Sequence, residues 1–115
     1  MTDLNAAVDS YLELIRADYR NWQKDCRSPD MIGDEIRDRV RQEMTDRFVN
    51  SVQVESGSKY LRVVVSGSAH SFIMLRDDGK FQRGDILKAA SWRAPARNFA
   101  RGNVFTVTKI SWAGA

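Results

Sequence analysis

Residues 59–75 read KYLRVVVSGSAHSFIML. Side chains in a β-strand alternate between two faces, so a period of two marks a strand with one face inward. Leu61, Val63 and Val65 fall on one face of the first half, with Tyr60, Arg62 and Val64 on the other. In the second half His70, Phe72 and Met74 alternate with Ala69, Ser71, Ile73 and Leu75. The SGS between the halves is turn chemistry, because glycine reaches the positive φ values that a tight hairpin needs. The stretch is therefore a hairpin, and its neighbours extend it. SVQVES, residues 51–56, alternates at Val52 and Val54. ESGSK and DDGK are further turn sequences, and Asp78-Gly79 is a strong short hairpin signal. VFTVTKISW, residues 104–112, is rich in β-branched and aromatic residues and predicts the closing strand. About four strands, three in a meander and a fourth returning, make a small antiparallel sheet.

Upstream the period changes. Leu4, Val8, Tyr11, Leu12, Ile15, Tyr19, Trp22 and Cys26 recur at steps of three and four, the stripe of a helix running to about residue 25. Thr2 or Asp3 can cap its start by accepting an amide hydrogen that has no partner within the helix. RSPDMIGDEI restarts the pattern, with Ser28 as cap and Pro29 as first helical residue, where a missing N–H costs nothing. Ile32, Ile36, Val40, Met44 and Phe48 continue the stripe, and Gly33 weakens it. The expected architecture is α+β: an N-terminal helical hairpin, its stripe buried as core, packed on the sheet in one domain over residues 1–115.

At 115 residues, with 43% hydrophobic and 29% charged side chains, the chain has the composition of one globular domain. A core of that size is limited, so a homodimer is a natural supplement. No apolar run approaches the ~18 residues of a membrane span. The first residues lack the basic-then-apolar order of a secretory signal. The single cysteine cannot form an internal disulfide, which fits a reducing cytosol. One His and one Cys do not assemble a zinc site, and no Gly-rich nucleotide loop is present, so no cofactor or metal is expected.

Charge divides the chain. Residues 1–50 hold 11 acids against 8 Lys and Arg, and residues 51–115 hold 4 acids against 10, so the halves carry −3 and +6. Such polarity implies an anionic partner or an internal electrostatic match. The excess concentrates in GDILKAASWRAPARNFARGN, residues 84–103, where Lys88, Arg93, Arg97 and Arg101 face a single acid, Asp85. Asp85 can cap a turn or two through ILKAASW, and Pro95 can start a short helix, PARNFAR, ended by Gly102. That helix would place Arg97 and Arg101 four apart on one face, a repulsive pairing unless an anion lies between them. A guanidinium matches phosphate oxygens two at a time, and Trp92 and Phe99 offer flat surfaces for base stacking. The alternative is a seam in which the acids of the helical half dock on these arginines.

The candidate ligand set is Lys88, Ser91, Trp92, Arg93, Arg97, Arg101, Asn103 and His70. The expected partner is nucleic acid or another phosphate-bearing ligand, held mainly through backbone contacts. A protein–protein module acting on a host or defence protein is the second reading. The only catalytic candidate is His70, whose unperturbed pKa near ~6.5 suits acid–base work beside a phosphate; with Arg101 it would make a metal-independent phosphodiesterase.

Residues 59–105 resemble a group of small uncharacterised proteins encoded by tailed bacteriophages. The resemblance rests on His70, Ser71 and Phe72, then on Lys88, Ala89, Ala90, Ser91, Trp92, Ala94, Pro95, Ala96, Ala100, Arg101, Gly102 and Asn103. It implies a phage or prophage origin and a place in the host cytoplasm, and it brings no activity with it.

Overall fold

The computed structural model describes residues 3–25 and 35–115, the side chains of 24, 25 and 35–38 apart. Helix α1 spans Leu4–Asp25 and α2 spans Glu35–Ser51. Five strands follow: β1 Gln53–Ser56, β2 Tyr60–Val65, β3 Ser68–Met74, β4 Asp85–Lys88 and β5 Gly102–Asn103. They form one antiparallel meander in the order β1-β2-β3-β4-β5. The fold is α+β.

Asp3 caps α1, its Oδ1 accepting the Asn5 amide hydrogen at 3.0 Å. The α1 stripe is buried from Leu4 through Tyr19. It packs on Leu61, Val63, Ile73 and Ile86, which project from β2, β3 and β4 toward the helices. Phe72, Met74, Phe81 and Leu87 form a second cluster on the opposite, outer side of the sheet, joined by Tyr60, Ala89 and Ala100. The β2–β3 turn has φ of +51° at Ser66 and +79° at Gly67, the two positive values a two-residue turn of this hand demands. Ser66 tolerates this with its amide hydrogen donated to Ser51 Oγ at 3.1 Å, which ties the turn to the end of α2.

Several expectations are corrected. The α2 stripe is not core along its length: Phe48 is buried, but Val40 and Met44 are each 49% exposed. The Ser28 cap, Pro29, Ile32, Gly33 and Cys26 lie outside the described residues, as does the Ile36 side chain. ILK is strand rather than helix, because Ile86 and Leu87 are claimed by the two cores on opposite faces of β4. PARNFAR is not helical either. Pro95 pairs with Ala89 in an isolated bridge, and Ala96 donates its amide hydrogen to the Lys88 carbonyl at 2.7 Å. A seven-residue helix carrying two uncompensated arginines has little to hold it. The extended path instead separates Arg97 from Arg101 and gives each its own surroundings.

The closing strand over 104–112 does not form. On its other edge β4 pairs with Gly102 and Asn103, and the Asn103 carbonyl then accepts the amide hydrogens of Thr106 and Val107 in a turn. Val104 is buried, and Phe105, Val107, Ile110 and Trp112 pack against the helix-side core. Their β-forming composition reflects that burial rather than a ladder. The Trp112 ring sits among Tyr19, Trp22 and Phe48, with centroids 5.0–5.6 Å away, and its amide hydrogen is accepted by Asp18 at 2.9 Å.

His70 changes face. Val63 pairs with Ser71 but Val64 pairs with Ala69, so β3 carries one extra residue, His70, at a bulge. A bulge re-aims the residue it inserts. The His70 ring therefore lies beside Ser71 and against Tyr11 of α1, not with Phe72 and Met74.

Candidate functional site

The outer face of the sheet is built by residues 89–101. The Ala89–Pro95 bridge closes a tight loop in which the Ala94 carbonyl accepts the amide hydrogens of Ala90 and Ser91, both at 3.1 Å. Ser91 Oγ accepts those of Arg93 and Ala94, so it shapes the loop from inside. Trp92 stands at the tip, 44% exposed. Arg62 of β2 holds it: the guanidinium lies 4.5 Å from the ring centroid and its Nε donates to the Trp92 carbonyl at 2.9 Å. Glu55, directly across from Arg62 on β1, completes the clasp as an ion pair.

Beyond Pro95 the chain crosses the outer cluster. Arg97 donates to Tyr60 Oη at 2.6 Å, pairs with Asp78 at 3.1 Å and lies 5.1 Å over the Phe81 ring. Lys59 reaches the same Asp78 oxygen at 2.9 Å. Hydrogen bonds from Lys59 and then Arg97 hold the Asp78 carboxyl below the usual carboxylate range, and the same partnership raises Arg97. Arg101 lies 4.2 Å over Phe99, a ring 52% exposed.

Among the described residues no carboxylate pairs with Lys88, Arg93 or Arg101, and no acid of the helical half reaches Arg97. Glu13 pairs within its own helix with Arg16 and Arg20, and Asp18 holds the C-terminal tail. The predicted seam between acidic helices and basic segment is therefore absent among the described residues, although Arg97 is clasped by an acid of the sheet half.

The structure divides the predicted ligand set. Ser91, Trp92 and Arg93 share one loop, and Arg97 and Arg101 share the outer face with it. Lys88 pairs with Ser71 in register, which turns it toward the helix side of the sheet. Asn103 is consumed by the fold: its Nδ2 donates to the Arg83 carbonyl and Asp85 Oδ1, and its Oδ1 accepts the Phe105 amide hydrogen.

His70 lies across the sheet from the arginines, 6% exposed. Its Nε2 faces the Ser111 carbonyl at 2.8 Å and its Nδ1 faces Ser71 Oγ at 2.9 Å, which in turn lies 2.7 Å from Tyr11 Oη. A carbonyl only accepts, so Nε2 carries the proton, neutral Nδ1 accepts from Ser71, and Ser71 accepts from Tyr11. Burial lowers the His70 pKa and raises that of Tyr11, which keeps this chain of donors neutral. Geometry does not join His70 to Arg101.

The sequence reading missed Arg62, Glu55, Lys59 and Tyr60, which organise the face. Arg62 had a signal: a charged residue alternating with buried Leu61 and Val63 must point outward, and Glu55 is its cross-strand neighbour. With Gly57, Ser58, Phe72 and Arg93 these four residues line an open cleft of about 290 Å³ between the β1–β2 turn and the Trp92 loop.

Residues 2–114 match the family described as "Family of unknown function (DUF7717)". The chain belongs to this family. The DUF7717 match runs through helices, sheet and tail, so the outer face and its cleft lie within the matched region. No curated protein and no solved structure is significantly similar to this DUF7717 chain.

Proposed function

We propose that the protein binds nucleic acid, or another phosphate-bearing polymer, along the outer face of its sheet. The observation that carries this reading is the pairing of unneutralised arginine with exposed aromatic surface. Arg93 and Arg101 lack carboxylate partners among the described residues, and Trp92 and Phe99 stand exposed beside them. Burying either cation without an anion is unfavourable, whereas phosphate oxygens satisfy it and release condensed counterions. Trp92 and Phe99 each have one face against an arginine, which leaves the other for a base. Lys88 contributes through the long-range field rather than by contact. Contacts to phosphate and stacking on aromatic rings are common to every base, so this reading predicts binding that depends little on sequence. The phage origin and the host cytoplasm implied by the resemblance belong to this proposal, since nucleic acid is abundant there. Mobility shift with single- and double-stranded DNA and RNA across a salt series tests it: binding must fall steeply as salt rises.

A second reading rests on a different surface. Val40 and Met44 of α2, each 49% exposed, and Trp22, 42% exposed, support a protein–protein module that engages a host protein or a second copy of the chain. Capture of a partner that survives nuclease treatment, together with the sedimentation mass of the free protein, separates this reading from the first.

A further inference from the structure

We infer that the cleft between the β1–β2 turn and the Trp92 loop is a pocket for one unpaired nucleotide, so that the protein prefers single strands to duplexes. This rests on reading the outer face as phosphate-binding and adds to it a defined subsite. The cleft has a volume of about 290 Å³. That is near the lower end of ligand sites, which run from ~300 Å³, and suits one nucleotide rather than a base pair.

Its chemistry is divided in the way a nucleotide requires. Phe72, 2% exposed, and Tyr60 give the cleft an apolar lining, their rings edge to face with centroids 5.9 Å apart at 75°. Tyr60 is fixed from behind, because Arg97 donates to its hydroxyl. The ring is thus set before any ligand arrives, which lowers the ordering cost of stacking a base on it. Of the two arginines on the cleft, Arg62 is neutralised by Glu55, to which its Nη1 donates, and its Nε donates to the Trp92 carbonyl. Arg93 has no carboxylate partner among the described residues and is the cation left for phosphate. Gly57 and Ser58 of the β1–β2 turn also line the cleft. A base held in a duplex cannot enter a space bounded on both sides by a turn and a loop, whereas a splayed base can. A free mononucleotide and a nucleotide within a strand present the same chemistry.

The test is fluorescence anisotropy and calorimetry on the full chain with four probes: single-stranded oligothymidine of roughly ten nucleotides, its duplex with oligoadenosine, thymidine monophosphate, and inorganic polyphosphate of matched charge. The strand is expected to bind about ten-fold more tightly than polyphosphate or duplex, the size of one stacked base. Arg93→Ala should weaken the strand by a similar factor. Ser58→Leu, a change at an exposed turn that narrows the cleft without altering charge, should erase the strand's advantage and leave polyphosphate binding intact. Circular dichroism of both variants reports that the fold is kept. Measurable binding of thymidine monophosphate that Ser58→Leu abolishes would assign the pocket to free nucleotides; binding confined to the strand would assign it to polymer. Equal affinity for strand, duplex and polyphosphate, unchanged by Ser58→Leu, would overturn the pocket and leave the anion-binding face standing. Failure of all four probes at low salt would overturn both.

Discussion

Arg62 lies over Trp92, 4.5 Å from ring centroid to guanidinium carbon, and donates to the carbonyl of the same residue at 2.9 Å. One side chain from the second strand thus fixes both the ring and the backbone of a loop thirty positions further on. Arg62→Met keeps an apolar stem but removes the charge and the donors. Loss of a cation–π contact and a hydrogen bond predicts a stability decrease of roughly 1–2 kcal/mol. The amides of Ala90 and Ser91, protected by the Ala94 carbonyl, should exchange with solvent faster in the variant. Unchanged exchange would mean that the loop holds itself.

His70 predicts a pH window for stability. Its native pKa is lowered by burial, while the unfolded chain binds the proton near ~6.5. Between those two values the unfolded state carries more protons, so stability rises with pH there and levels off above it. As pH falls below ~6.5 stability should drop by up to about 1.4 kcal/mol per pH unit. Because His70 is the only histidine, denaturant melts of wild type and His70→Gln between pH 5 and 8 isolate it. The wild type should show the slope and the variant should not. Tyr11, raised by the same burial, predicts a second loss at alkaline pH, where the unfolded phenol ionises first.

Trp112 closes the helix-side core as part of the irregular tail. Trp112→Ala removes a ring that touches Tyr19, Trp22 and Phe48 and should cost roughly 2–4 kcal/mol. Deletion of residues 111–115 should cost at least as much, since it also frees Asp18 and the Nε2 of His70. Thermal melts of both variants check this. A melting temperature equal to wild type would show that the tail does not close the core.

Asp78 restrains Arg97. Replacing it by Asn removes the carboxylate that Lys59 and Arg97 share while keeping the shape of the turn. Both cations then face the outer surface unneutralised. Affinity for single-stranded DNA should rise by at least roughly five-fold at about 0.1 M salt, the gain for each released cation that meets a phosphate. An affinity that stays constant or falls would show that Arg97 serves only to brace Tyr60.

The parts of the fold set by short-range pattern were legible. The 59–75 hairpin, the α1 stripe from Leu4 to Tyr19 and the Asp78-Gly79 turn stand where periodicity and turn chemistry put them, whereas Trp22, on the same stripe, is 42% exposed. What failed depended on tertiary context. The β-rich 104–112 run looked like a strand because the same residue types cover a core without pairing. ILK looked like a helical turn because neither its neighbours nor its length revealed that it is buried on both faces. A strict period of two puts His70 on the face of Phe72 and Met74, because one inserted residue in β3 is invisible to it. Within the candidate site, the cluster of cations was legible as composition. Its arrangement was not, since Asp78, Tyr60, Glu55 and Arg62 meet it only through the sheet.

The central claim is that Arg93 and Arg101 present unneutralised charge to phosphate. Its most direct measurement is the salt dependence of affinity for a short labelled single strand, compared between wild type and the Arg93→Ala, Arg101→Ala double variant. Wild type should give a straight line of log affinity against log salt, and the double variant a slope shallower by about 1.4, the value for two phosphate contacts on a single strand. Binding whose salt slope is the same in both proteins, or no binding by wild type at low salt, would contradict the account.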